Sequence, residues 1–165
     1  MIKAILACDE SGGVGKEGTL PWPTNSKDLK WFKENTSGHI VVMGSKTWSD
    51  PFMPNPLPKR TNVVVTSKPE DHKGAHYYIT DNLIENIKKL SEDNTGLITW
   101  IIGGPSIIEQ CLGIIDEFYL TRIWGDYECD TFLPLTKIQT LFTMAYVDIH
   151  PDIEFEIWRK REAIS

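Results

Sequence analysis

No run of lysines and arginines in these 165 residues is longer than the three of Arg159-Lys160-Arg161, and net charge is −6. That argues against non-specific nucleic-acid or anionic-membrane binding, while leaving room for a local basic pocket. No apolar stretch approaches the roughly 18 residues of a membrane span. The opening MIKAILACDE turns acidic too soon for a secretory leader and reads as a first strand. Cysteine is scarce: Cys8, Cys111 and Cys129 are odd in number and lack C-x-x-C spacing. They point to thiols in a reducing cytoplasm rather than a disulfide frame. Metal ligands are wanting too. His72 and His76 share helical spacing, but Gly74 lies between them and no cysteine or carboxylate completes a set, so no metal is expected. With no repeat, low-complexity segment or linker, residues 1–165 are expected to form one domain.

What is present alternates between apolar runs and helical patterns. IKAILAC (2–8) reads as a strand and SKDLKWFKENT (26–36) as a helix, with Asn25 or Ser26 as N-cap. IVVMG (40–44), a short SKTW turn of helix and a proline-rich loop follow, then the strands NVVVTS (62–67) and HYYI (76–79). Asp81 can cap a helix whose Leu83, Ile84, Ile87 and Leu90 form one apolar stripe. After ITWII and Gly103-Gly104, Pro105 suits the first position of a helix SIIEQCL. The remainder reads mostly as strand: EFYLTRIW, TFLP, MAYVDI and FEIWRKR. This order predicts an α/β fold, with a largely parallel sheet, helices on both faces and an antiparallel C-terminal hairpin.

Gly13-Val14-Gly15-Lys16-Glu17-Gly18 satisfies G-x-G-x-x-G, the dinucleotide fingerprint. The fingerprint needs the glycine turn to open a helix. Here Thr19-Leu20-Pro21-Trp22-Pro23 follows, and its prolines forbid one. A P-loop fails as well, because Glu17 follows Gly15-Lys16. What remains is a long loop of the kind that usually serves function.

In open α/β sheets, ligands bind beyond the carboxyl ends of the strands. Gly44-Ser45-Lys46-Thr47, Thr66-Ser67-Lys68 and Gly103-Gly104-Pro105-Ser106 stand at such ends. They offer a seat for a phosphorylated cofactor, or they are merely the glycines and serines that strand–helix turns use. Asp28 shares a helix face with Phe32 and Thr36. Desolvated beside aromatics it would bind a protonated heterocycle, but an aspartate in a first helical turn is also ordinary dipole complementation. Arg60 is suited to a bidentate carboxylate clamp or is a solvated loop charge, and Thr121 is a buried hydroxyl or simply a strand former.

Together these pieces resemble dihydrofolate reductase over essentially the whole chain. The resemblance rests on VGKEGTLPW with KDLKWFKENT, then VVMGSKTW, PLPKRTNVVVTS, IIGGPSIIEQ, and FYLTRI followed by DTFLP, in that order and spacing. It implies an eight-stranded mixed sheet and NADPH-dependent reduction of 7,8-dihydrofolate to tetrahydrofolate, by a cytoplasmic monomer with a small-molecule substrate. It implies that residues 9–24 are the mobile loop over nicotinamide and pterin, with Leu20 at its tip and Trp22 near the substrate. Asp28 would hold the pterin and favour protonation of N5, supported by Thr121. Ile5, Ala7, Leu29, Phe32, Leu57 and Ile102 would line the substrate site, and Arg60 would clamp the glutamate carboxylate. Cofactor contacts would come from Ala7, Val14, Gly15, Gly44, Ser45, Lys46, Thr47, Thr66, Ser67, Lys68, Gly103, Gly104, Ser106, Ile107 and Thr131, with Gly103-Gly104 as a cis pair. Ser45 and Ser106 stand where many relatives carry arginines for the 2′-phosphate, which should blunt discrimination between NADPH and NADH unless Lys46 and Lys68 substitute. Ile108 replaces the usual aromatic near the nicotinamide. The proline-rich loop leaves open which of Phe52 and Met53 walls the folate. The competing readings are a related pyrimidine reductase and a non-catalytic binding module.

Overall fold

The computed structural model describes residues 1–15, 22, 25–51 and 53–162. An eight-stranded sheet forms its centre, in the order β5-β4-β3-β6-β1-β7-β10-β9. The strands are β1 (Ile2–Asp9), β3 (Ile40–Gly44), β4 (Thr61–Val65), β5 (Tyr77–Ile79), β6 (Thr99–Gly103), β7 (Glu117–Ile123), β9 (Phe142–Ile149) and β10 (Ile153–Lys160). All neighbours from β5 through β7 run parallel, while β10 pairs antiparallel with both β7 and β9. A separate two-stranded ribbon joins β2 (Gly13–Gly15) to β8 (Thr131–Phe132).

The central strands are apolar on both faces because helices cover both. On one face Ile5, Val41, Met43, Val64, Trp100 and Ile102 meet Trp31 and Phe32 of α1 (Ser26–Thr36) and Trp48 of α2 (Ser45–Trp48). On the other, Ala4, Cys8, Val42, Ile101, Phe118 and Leu120 meet α3 (Leu83–Glu92), α4 (Pro105–Cys111) and α5 (Leu135–Leu141) through Ile87, Ile108 and Ile138. The one-residue alternation along β1 splits it between the two cores: Ala4 and Cys8 go one way, Ile5 the other.

Two readings of the sequence are corrected. The helix expected to be capped by Asp81 starts instead after Asn82, which holds a left-handed φ of 46° and makes no side-chain cap. The Asn86 amide, donating to the carbonyls of Asp81 and Asn82, ties that turn down. In the stretch read as mostly strand, Leu135–Leu141 is helical. It is one short amphipathic segment, rich in threonine, and its helicity comes from burying Ile138 rather than from propensity.

Candidate active site

The first half of the site is a groove beside α1. Asn25 starts this helix, its side chain accepting the N–H groups of Lys27 (3.0 Å) and Asp28 (3.2 Å). Trp31 then anchors it to the sheet, with ring centroids 4.7 Å from Phe155 and 5.8 Å from Tyr119. That anchorage fixes the neighbouring face, where Asp28, Phe32 and Thr36 succeed one another at four-residue steps. At the N-terminal end, burial pushes the Asp28 carboxyl up to about 6, although a hydrogen bond from Thr121 acts in the opposite direction. Thr121 is itself buried at 1% exposure. At the other end, Arg60 donates from Nη1 to Thr36 Oγ1 (3.0 Å) and from Nε to the Pro58 carbonyl (2.9 Å). Its guanidinium stands 5.7 Å from the Phe32 ring centroid. Those two bonds hold the fork in one orientation and leave most of its five N–H donors for a ligand. From residue 28 to residue 36 the helix advances about 12 Å. The groove therefore presents a carboxyl of raised pKa at one end, a fixed cation at the other, and apolar walls from Phe32 and Leu57 between.

The second half lies at the carboxyl ends of the parallel strands. Because β4, β3, β6 and β1 are adjacent and parallel, Thr66, Gly44, Gly103 and Asp9 come out along one edge. The Gly103–Gly104 peptide bond is cis. A Cβ on Gly104 would meet nothing within 4 Å, while one on Gly103 would come 3.4 Å from Leu6 and 3.5 Å from Thr47 Oγ1. Open space thus lies over this turn. Ser45, Lys46, Ser67, Lys68 and Ser106 border the same edge, the last four exposed. Hydroxyls, two ammonium groups and accessible backbone suit an extended polyanionic cofactor, so the residues present fit one.

The residues singled out in the sequence fall into these two halves. Asp28, Thr121, Phe32, Arg60, Leu57 and Ile5 border the groove. Ile102 is buried at the foot of the Gly-Gly turn, and Leu29 is exposed beside Asp28. Trp22 is buried in a cluster with Ile123, Ile153 and Phe155, its ring 6.0 Å from Tyr127 and edge-on to it, and Ala7 and Trp31 pack on the same cluster. Ile107 closes the second half from behind, 3.4 Å from where a Gly44 Cβ would lie. Ile108 is fully buried in the opposite core. Val14, Gly15 and Thr131 belong to the ribbon, with Gly15 paired to Thr131. Met53 packs on the cluster of Trp48 and Leu57. Leu20 and Phe52 lie outside the described residues.

Sequence reasoning missed the ribbon and its anchor, Asp9. The available signal was a carboxylate closing an apolar strand just before Ser11-Gly12-Gly13, the usual composition of a side-chain-stabilised turn. It also missed the role of Thr36 in steadying Arg60.

Comparison with known proteins gives a consistent picture. A family model described as dihydrofolate reductase matches residues 1–155. The chain is 32% identical to a dihydrofolate reductase of Haemophilus influenzae, covering 96% of this chain and 88% of that one. It is 30% identical to a type 8 dihydrofolate reductase of Escherichia coli, with 98% and 96% covered. Among solved structures, dihydrofolate reductase from Enterococcus faecalis, complexed with NADP(H) and RAB-propyl, superimposes with a TM-score of 0.79 at 28% identity, covering 98% of this chain and 97% of the other.

Proposed function

Because this chain belongs to the dihydrofolate reductase family, whose NADPH-dependent reduction of 7,8-dihydrofolate it carries out, we propose that Asp28 governs the proton of that reaction. The observation that carries this is its carboxyl, in the first turn of α1 and hydrogen-bonded by the buried Thr121, raised by burial to about 6. A group that titrates near the working pH can hold the pterin as a carboxylate and still exchange a proton with it. Asp28 accepts from the pterin amino group and the adjoining ring nitrogen, and favours protonation of N5 through ordered water. Thr121 orients the carboxyl by its hydrogen bond. Phe32, Leu29, Leu57 and Ile5 enclose the ring and aminobenzoyl unit, excluding water. About 12 Å along α1, Arg60 clamps the glutamate carboxylate in bidentate fashion, which fixes the substrate's register.

When bound, NADPH would supply the hydride for C6, and N5 would take the proton. Gly44 to Thr47, Thr66 to Lys68 and Ser106 would hold its phosphates, with Ala7, Ile107 and the Gly103-Gly104 turn toward its reactive end. Val14, Gly15 and Thr131 would wall it from the ribbon side, and Trp22 would stand near the reacting rings. The three free thiols suit a cytoplasmic setting.

Steady-state oxidation of NADPH with dihydrofolate, in wild type and Asp28→Asn, tests this reading. The variant should lose about 10²-fold in kcat/KM at pH 7.5, in the range of a general acid–base contribution. It should also lose the ionisation near 6. A variant that turns over like wild type would remove Asp28 from the chemistry.

A further inference from the structure

We propose that Asp9 is a positioning residue for the cofactor, fixing the β2–β8 ribbon to the end of the central strand β1. The proposal rests on the reading above that Val14, Gly15 and Thr131 wall the NADPH site.

Asp9 is the last residue of β1 and is fully buried. Its two carboxylate oxygens serve two different segments. Oδ1 accepts the N–H groups of Ser11 (2.9 Å) and Gly13 (2.8 Å), shaping the turn into β2. Oδ2 accepts the N–H of Tyr127 (3.2 Å) and the Cys129 thiol (3.5 Å), on the segment leading to β8. A carboxylate that only capped its own turn would have no use for the second pair. Here one side chain ties the approaches of both ribbon strands to the sheet.

The ribbon needs such a tie. β2 has three residues and β8 two, with a register shift between Gly13 and Gly15. Two-stranded pieces of that size do not hold themselves in water. Among the described residues it is also held by main-chain bonds within the same pair of segments, Asp130 N–H to the Gly15 carbonyl (2.9 Å) and Leu133 N–H to the Gly12 carbonyl (2.9 Å), and by Val14 packing on the core. The packing around Asp9 is close. A Cβ on Gly13 would lie 2.4 Å from Cys129 Cβ and 3.1 Å from Asp9 Oδ1. No other residue type fits at position 13 while the ribbon stays where Asp9 holds it.

Asp9→Asn separates the two attachments. Asparagine keeps one acceptor oxygen and turns the other into an NH₂, which must face a backbone N–H donor to donor. The measurements are the dissociation constants of NADPH and of dihydrofolate, each alone, by quenching of tryptophan fluorescence, together with the melting temperature. NADPH binding should weaken about tenfold, the scale of one lost charge-assisted bond. Dihydrofolate, held along α1, should change less than threefold. Gly13→Ala leaves Asp9 intact and displaces the ribbon sterically, so it should reproduce the same selective loss and carries the test if Asp9→Asn does not fold. Unchanged NADPH affinity, or equal weakening of both ligands alongside a lower melting temperature, would overturn the proposal and leave Asp9 a purely structural group. Wild-type protein that binds no NADPH would instead sink the underlying reading, a result distinct from any failure confined to the variants.

Discussion

Burial leaves the Asp28 carboxyl at about 6 against an ordinary value of 3.8. The folded chain therefore holds this proton more tightly than the unfolded chain does. A raised carboxyl stabilises the fold fully only below the unfolded value, and that contribution is lost as pH rises through about 6. At neutral pH the ionised group is a burden, of the order of 3 kcal/mol for a shift of about two units. Asp28→Asn should accordingly be more stable than wild type at pH 7.5, by about 1–3 kcal/mol, since the amide also alters the Thr121 contact. The difference should vanish below about pH 4. Urea denaturation of both proteins from about pH 3 to pH 8 measures it. A variant less stable than wild type at pH 7.5 would mean that Asp28 is not desolvated. A carboxylate that costs stability where the reductase works is what a site selected for chemistry should show.

The stability of helix α1 depends on its first residues. The Asn25 side chain accepts two of the amides the helix cannot satisfy internally. Asn25→Ala should lower stability by about 1 kcal/mol in chemical denaturation. Because Asp28 sits in that first turn, the variant should also raise KM for dihydrofolate more than it lowers kcat. Most of this element was legible in the sequence: of the two caps offered, Asn25 or Ser26, Asn25 makes the bonds, and apolar spacing and both ends of α1 agree with the structure. So do β3, α2 and the proline-led α4, where local preference and burial coincide. The elements that escaped are those fixed by distant partners. The α5 segment is helical because Ile138 meets the core, and β2 exists because β8 lies beside it. For the site, Asp28 and Arg60 were visible as residue types, but only the fold brings Thr121 to one and Thr36 to the other. Asp9 was invisible for the same reason, since half its partners lie more than a hundred residues away.

At the scale of the whole molecule, the cofactor edge collects strands that the sequence separates widely, so cofactor binding draws on most of the fold. NADPH must then raise the melting temperature by mass action, and comparison with NADH reads how strongly the 2′-phosphate is held. The groups bordering that edge are Ser45 and Ser106, with Lys46 and Lys68 as its cations. Lysine is a point charge on a flexible stem and replaces a guanidinium fork only in part. Discrimination should therefore stay within about tenfold, or 1.4 kcal/mol. For a chain of this size that is a gap of roughly 3–6 °C between the melting temperatures in saturating NADPH and in NADH at the same concentration. Ser106→Arg, at an exposed position beside the same edge, should widen the gap by adding a forked cation. A wild-type gap near twice that size would mean that Lys46 and Lys68 alone hold the phosphate tightly. No gap at all would mean that this edge does not sense the 2′-phosphate, and that the preference for NADPH must be set by supply rather than by affinity.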